Sequence, residues 1–192
     1  MKRVEVLEAV AQRKSTGISV ATMRVVPGWA NNGGAETQHF NVVGCMGVAS
    51  SIGLGLALAQ PEKKVIVLDG DGSLLMQLGS LATVAGTRAR NFYHLVFVNR
   101  IYETSGHQSI PSSENIDFAG LAKAAGYNVV AYIDDVGVLH ERLPDLLQED
   151  GPVLLAFEVE PEFDREPFPR GIPPNQQVAH LREELVGDGR TD

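Results

Sequence analysis

The sequence predicts an α/β fold, a parallel β-sheet with helices on both faces, over residues 1–160, followed by a Pro-rich C-terminal arm with a short helix over residues 161–192. Segments rich in β-branched residues alternate with stretches of helical periodicity, the pattern of repeated β-α-β units. Between two of these segments Leu74, Leu78, Leu81, Ala82 and Ala85 recur at helical spacing, which makes that crossover an amphipathic helix. With 192 residues and 44% hydrophobic content, the chain can bury one sizeable core and would be cramped as two full domains.

Taken in order, Val4, Leu7, Val10 and Ala11 share one face of an opening helix. Strands are predicted over residues 18–22, 64–69, 93–99, 128–131 and 153–158. The apolar run 45–59 contains Ser50, Ser51 and three glycines; it is too short for a bilayer span and reads as a buried helix. Asp117 stands as N-cap before Phe118, Leu121 and Ala125, and Gly126 supplies the left-handed stop. A further helix is predicted over residues 136–148. Pro161, Pro167, Pro169, Pro173 and Pro174 then mark an extended arm that leads to a polar helix over residues 178–185.

The charge balance, 16 Lys+Arg against 24 Asp+Glu, gives a net charge of −8 and opposes approach to nucleic acid or an acidic membrane. Cys45 is the single cysteine, so no intramolecular disulfide can form. Glu5 and Glu8 interrupt what would be the apolar segment of a leader after Met1-Lys2-Arg3. Together these point to the cytoplasm.

Loops at the carboxyl ends of parallel strands bind ligands. The strand 64–69 runs into Gly70-Asp71-Gly72-Ser73 and then directly into a helix. Glycines permit close backbone approach, a helix start offers amide donors, and Asp71 can hold a divalent cation that shields a phosphate. Alone, that stretch is as well explained by a tight turn with a helix cap. A second site shifts the balance: Asn99 ends the next strand, 28 residues after Asp71, and one β-α-β unit sets those two strand ends side by side. A carboxylate, an amide oxygen and a nearby carbonyl form a plausible oxygen set for Mg²⁺.

Gly70-Asp71-Gly72-Ser73, a crossover helix and a strand ending in Asn99 resemble the signature of thiamine diphosphate enzymes, in their diphosphate-binding (PP-type) domain. The resemblance implies Mg²⁺ bound by Asp71, Asn99 and the backbone carbonyl of Ile101, with Gly70, Gly72, Ser73 and Tyr102 also meeting the cofactor. Where the signature usually has two consecutive Asn residues, the first is here Val98. Upstream, Gly44-Cys45-Met46-Gly47 resembles the segment that meets the aminopyrimidine ring. It implies a carbonyl acceptor at Gly44 and a bulky prop at Met46; ordinary core packing is the other reading of Met46. From residue 44 to residue 127 the chain is most similar to sulfopyruvate and phosphonopyruvate decarboxylases, including Thr104-Ser105-Gly106-His107-Gln108, where the family often has Gly-Gly before the Gln.

In that family the Glu that activates the cofactor lies in a separate pyrimidine-binding domain, for which this chain has no room. The resemblance therefore implies a pyrimidine-binding alpha-type subunit, with cofactors between chains and at least two copies of each in a hetero-oligomer. It implies decarboxylation of a small 2-oxo acid to an aldehyde, with Arg24 and Arg100 as candidates to bind a second anionic group on the substrate. His107 and Glu103 follow the metal loop and are candidate proton donors or substrate contacts; the other reading is that both face solvent. Two alternatives stay open: an acetolactate synthase-like carboligase subunit, and a non-catalytic nucleotide-binding module. The second lacks a Gly-x-x-x-x-Gly-Lys loop.

Overall fold

The computed structural model describes residues 1–163 and 172–187; Pro167 and Pro169 of the expected arm lie outside the described residues. Five strands fall where the sequence places them: β1 (Ile18–Thr22), β3 (Val65–Gly70), β4 (Phe92–Val98), β5 (Val129–Ile133) and β6 (Val153–Glu158). A sixth, β2 (His39–Val42), was not expected. It is short, lies at the sheet edge and carries His39 and Asn41, so its polar composition hides it among loop residues. All pairings are parallel, in the order β2-β1-β3-β4-β6-β5. The predicted α/β class holds.

Helices cover both faces. On one side α1 (Arg3–Ala11), α2 (Val25–Asn31) and α7 (Val136–Leu146) close over Trp29, Leu95 and Phe157. On the other, α3 (Ala49–Ala59), α4 (Asp71–Met76), α5 (Ser80–Thr87), α6 (Phe118–Ala125) and α8 (Pro174–Val186) close over Val67, Phe92 and Val96. Each face buries a continuous apolar layer, which is why the central strands are rich in Val, Ile, Leu and Phe.

Four helical expectations need correction. Residues 71–87 form two helices, not one crossover, because the chain turns at residues 77–79 around Gly79; Ala82 faces solvent and Val84 is buried in its place. In α1 the buried residues are Arg3, Val6, Leu7, Ala9 and Val10, while Val4 is 47% exposed, since α1 packs against both α2 and α7 and buries a wider stripe. Helix α3 starts only at Ala49, because Gly44 and Gly47 adopt left-handed φ of 77° and 85° that break the run before it. Helix α8 begins at Pro174, its fixed φ suiting a first helical position. The Asp117 cap and the Gly126 stop of α6 form as predicted, with Asp117 Oδ1 accepting from the Gly120 N–H at 2.8 Å.

Helix α8 packs on the β2 edge. Gln177 Oε1 accepts from the Asn41 N–H at 2.8 Å, Glu184 Oε2 accepts from the Gln38 N–H at 2.5 Å, and Leu181 enters the core.

The chain leaves β1 in one direction to reach β2, then crosses back to β3 and continues the other way to β4. Strand order thus reverses between β1 and β3, and the loops after these strands diverge and open a crevice at their carboxyl ends.

Directly behind that crevice the sheet buries a polar chain. Asp69 Oδ2 lies 3.1 Å from His94 Nε2, and His94 Nδ1 lies 3.4 Å from the Tyr127 hydroxyl. Replacing His94 with Leu strands the Asp69 carboxyl between two helical layers. Urea unfolding of that variant is expected to lose about 3 kcal/mol, and His94→Gln, which keeps a donor, less; equal midpoints for all three proteins would show that the pair contributes nothing.

Candidate functional site

The crevice is a pocket lined by residues 22–25 at the end of β1, residues 70–73 at the end of β3, and Asn99 and residues 101–104 after β4, together with Met46, Phe97 and Arg3. At its floor Asp71 is 2% exposed. The register of β3 on β4, which sets Gly70 beside Phe97, carries the Asp71 carboxylate to the end of β4. Its Oδ2 accepts from the Asn99 N–H at 3.1 Å and the Arg100 N–H at 2.6 Å, while Oδ1 accepts from the Gly72 N–H at 2.7 Å. Arg100 adopts a left-handed φ of 65°, and with it two successive N–H groups converge on one oxygen.

The chain then folds back on itself. The Tyr102 N–H donates to the Gln108 carbonyl at 2.9 Å and the Ile110 N–H to the Arg100 carbonyl at 3.0 Å, which leaves Ile101 facing Ser109 without bonding to it. The Ile101 N–H turns instead to Asn99 Oδ1 at 3.1 Å, and among the described residues no donor meets the Ile101 carbonyl. The Ile101 carbonyl, the Asn99 amide oxygen and the Asp71 carboxylate are hard oxygen donors carried by three residues that line this pocket. Among the described residues no three His, Cys, Asp or Glu side chains gather as a metal cluster. A cation here would have few protein ligands, the pattern suited to Mg²⁺ sharing its shell with phosphates and water.

Gly72 is required by what lies over it: a Cβ there would stand 2.6 Å from the Tyr102 ring. Ser73 Oγ accepts from the Gly47 N–H at 3.0 Å and ties the loop of residues 44–47 to the Asp71 turn. On that loop Met46 lines the pocket, whereas Gly44 and Cys45 are exposed beside it.

Glu103 does not face solvent. It is 7% exposed, and both carboxylate oxygens accept from Arg3 Nη2, at 2.6 and 2.7 Å. His107 is half-buried, stands outside the pocket lining and stacks on Phe163 with ring centroids 5.2 Å apart. Its φ of 63° accounts for the glycine that the family pattern has at this place. Arg24 lines the pocket, but the Arg100 guanidinium is paired with Glu158 at 2.8 and 3.0 Å and bonds the Ser113 carbonyl. Arg3, Val25 and Phe97 are lining residues that sequence reasoning missed. Arg3 left one signal: it is a cation in the first turn of a helix, where the dipole favours anions.

A parallel α/β domain with a pocket at its strand-order reversal belongs to the class of open-sheet domains that bind ligands at that point. Residues 18–157 match the family described as thiamine pyrophosphate enzyme, C-terminal TPP binding domain, and the chain belongs to that family. It is 44% identical over 124 residues to the sulfopyruvate decarboxylase subunit beta of Methanothermobacter thermautotrophicus, covering 65% of this chain and 63% of that one. To the phosphonopyruvate decarboxylase of Streptomyces viridochromogenes it is 43% identical over 124 residues, 65% of this chain and 31% of the relative. The chain thus spans less than two thirds of the length of either. Among solved structures, the benzoylformate decarboxylase of Polynucleobacter necessarius shares the fold with a TM-score of 0.73 at 16% identity, over 86% of this chain and 34% of that one.

Burial pushes the Asp71 carboxyl up to about 6, against the pull of the Arg100, Gly72 and Asn99 N–H groups, and the Glu103 charge adds to the rise. The folded value lies above the ordinary 3.8, so this group favours folding most below about pH 4 and loses that contribution as pH rises through about 6. Asp71→Asn is accordingly expected to be more stable than wild type at neutral pH in metal-free buffer, by up to about 3 kcal/mol. The difference should vanish near pH 4, as urea titrations across that range would reveal; a constant difference would show that ionisation of Asp71 costs nothing.

Proposed function

We propose that this chain is the thiamine diphosphate-binding, beta-type subunit of a 2-oxo acid decarboxylase of the sulfopyruvate or phosphonopyruvate type, working in the cytoplasm with a separate pyrimidine-binding alpha-type subunit in a hetero-oligomer. The observation that carries this reading is the meeting of Asp71 with the Asn99 and Arg100 amides at the joined ends of β3 and β4, next to an Ile101 carbonyl that no described donor satisfies. The identities to two decarboxylases support the reaction class.

Asp71, Asn99 and the Ile101 carbonyl would hold Mg²⁺, with residues 70–73 and Tyr102 against the diphosphate. Met46 would meet the cofactor's middle, with Gly44 and Cys45 beside the pyrimidine. When bound, thiamine diphosphate supplies the electron sink for the departing carboxylate. The pocket encloses about 50 Å³, room for a few waters, which leaves most of a cofactor to be covered by another chain. Of the two arginines considered for a second anionic group on the substrate, Arg24 is the better placed, because it lines the pocket and Arg100 does not. His107 is kept as a candidate substrate contact at the rim. Both Glu103 carboxylate oxygens are already taken by Arg3, so a holding role suits this residue better than contact with substrate.

Calorimetric titration of thiamine diphosphate with Mg²⁺ into this chain, alone and with a pyrimidine-binding chain, tests the reading. Binding is expected to depend on Mg²⁺, to strengthen with the second chain and to weaken roughly 100-fold or more in Asp71→Ala. Release of an aldehyde and CO₂ from a 2-oxo acid by the mixture would establish the reaction. Absence of binding in both formats would sink the proposal.

A further inference from the structure

We propose that Arg3 is a positioning residue for this site: through Glu103 it fixes the loop that offers the Ile101 carbonyl, an inference that rests on the metal-site reading above. Its guanidinium joins four separate stretches of chain. Nη1 donates to the Arg24 carbonyl at 3.1 Å in the loop after β1, and Nη2 donates to both Glu103 oxygens in the loop after β4. Glu162, beyond β6, approaches twice, with Oε2 3.5 Å from Nη2 and its N–H donating to Glu103 Oε1 at 2.8 Å. Arg3 itself opens α1, and the backbone beside it is anchored by the Glu160 N–H, which donates to the Met1 carbonyl at 2.9 Å.

A buried Arg–carboxylate pair elsewhere in the fold would be a local matter. This one lines the same pocket as Asp71, Gly72, Asn99 and Ile101. Apart from the single bridge at Ile101, the loop has no sheet pairing of its own, and Glu103 opens its one short 3-10 turn, Glu103–Ser105. Tyr102, which packs on Gly72, sits between Ile101 and Glu103, so a shift of Glu103 moves the carbonyl and the ring together. One planar guanidinium spans both loops, Nη1 on the Arg24 carbonyl and Nη2 on the Glu103 carboxylate, and so fixes direction as well as distance, which a single ammonium nitrogen does not. With Arg3 3% exposed and Glu103 7% exposed, water cannot replace either partner cheaply.

The test uses Arg3→Lys, Arg3→Met and Glu103→Gln, with Leu143→Ala in the α7 core, which does not line the pocket, as a control for general destabilisation. Amide hydrogen exchange is read at Ile101, Tyr102, Ser105 and His107, and Mn²⁺ binding in the presence of thiamine diphosphate is read by electron paramagnetic resonance. Exchange in the loop is expected to quicken tenfold or more in the Arg3 and Glu103 variants, while amides of β4 and α7 keep wild-type rates, and Mn²⁺ affinity falls about tenfold. Arg3→Lys is expected to fall between wild type and Arg3→Met, and it carries the test should Arg3→Met not fold, because its charge still neutralises Glu103. Loop exchange that changes only in proportion to the rest of the chain, as in Leu143→Ala, would overturn the proposal. Mn²⁺ binding unaffected by Asp71→Ala would instead defeat the metal reading, and loop exchange would still decide whether Arg3 holds the loop.

Discussion

The register between β3 and β4 is the constraint on which the site depends. Because Gly70 lies beside Phe97, the residue that follows β3 and the residues that follow β4 must meet, and a buried carboxylate placed there is met by main-chain N–H groups before any cation arrives. The β-strands to either side then fix everything else at the same edge. The reversal of strand order between β1 and β3 opens the crevice, and the Gly47 N–H on Ser73 brings the loop before α3 to its wall. None of these contacts relies on a long surface side chain; they follow from sheet geometry and from glycines where backbones approach.

This dependence explains which parts were legible in the sequence. Strands β3 and β4 announce themselves by stretches rich in β-branched and aromatic residues, and the meeting of Asp71 with Asn99 follows from the length of one β-α-β unit. The α6 helix was readable from a cap and a stop, both local devices. What escaped was set by tertiary context. The edge strand β2 pairs on one side only and so needs little apolar sequence, and the break at Gly79 is a turn inside an otherwise continuous helical pattern. Arg3 escaped because its partner is 100 residues away, and no spacing rule reaches that far. Glu103 was visible as a residue of the loop after β4, but its burial was not, since the arginine that permits it is remote in sequence.

The pocket also concentrates features that work against stability. Asp71 is ionisable and buried, and Met23, Arg100 and His107 hold left-handed backbone conformations around the same strand ends, a region of φ that non-glycine residues occupy at some energetic cost. The two apolar layers and the Arg3 junction hold these residues in place. A fold that tolerates such strain at one edge keeps its most regular packing in the centre of the sheet, where every residue of β4 is buried.

The seating of α8 on β2 has a consequence for the behaviour of the protein in solution. A parallel sheet that ends in a strand with outward N–H groups offers a template on which another molecule's strand can add, and through such additions chains aggregate. Here the acceptors are supplied from within: Gln177 takes the Asn41 N–H and Glu184 the Gln38 N–H, the latter with a negative charge that repels a second edge approaching in the same way. Helix α8 thereby shields the edge against strand addition, and a protein deprived of it would gain a sticky flank along β2.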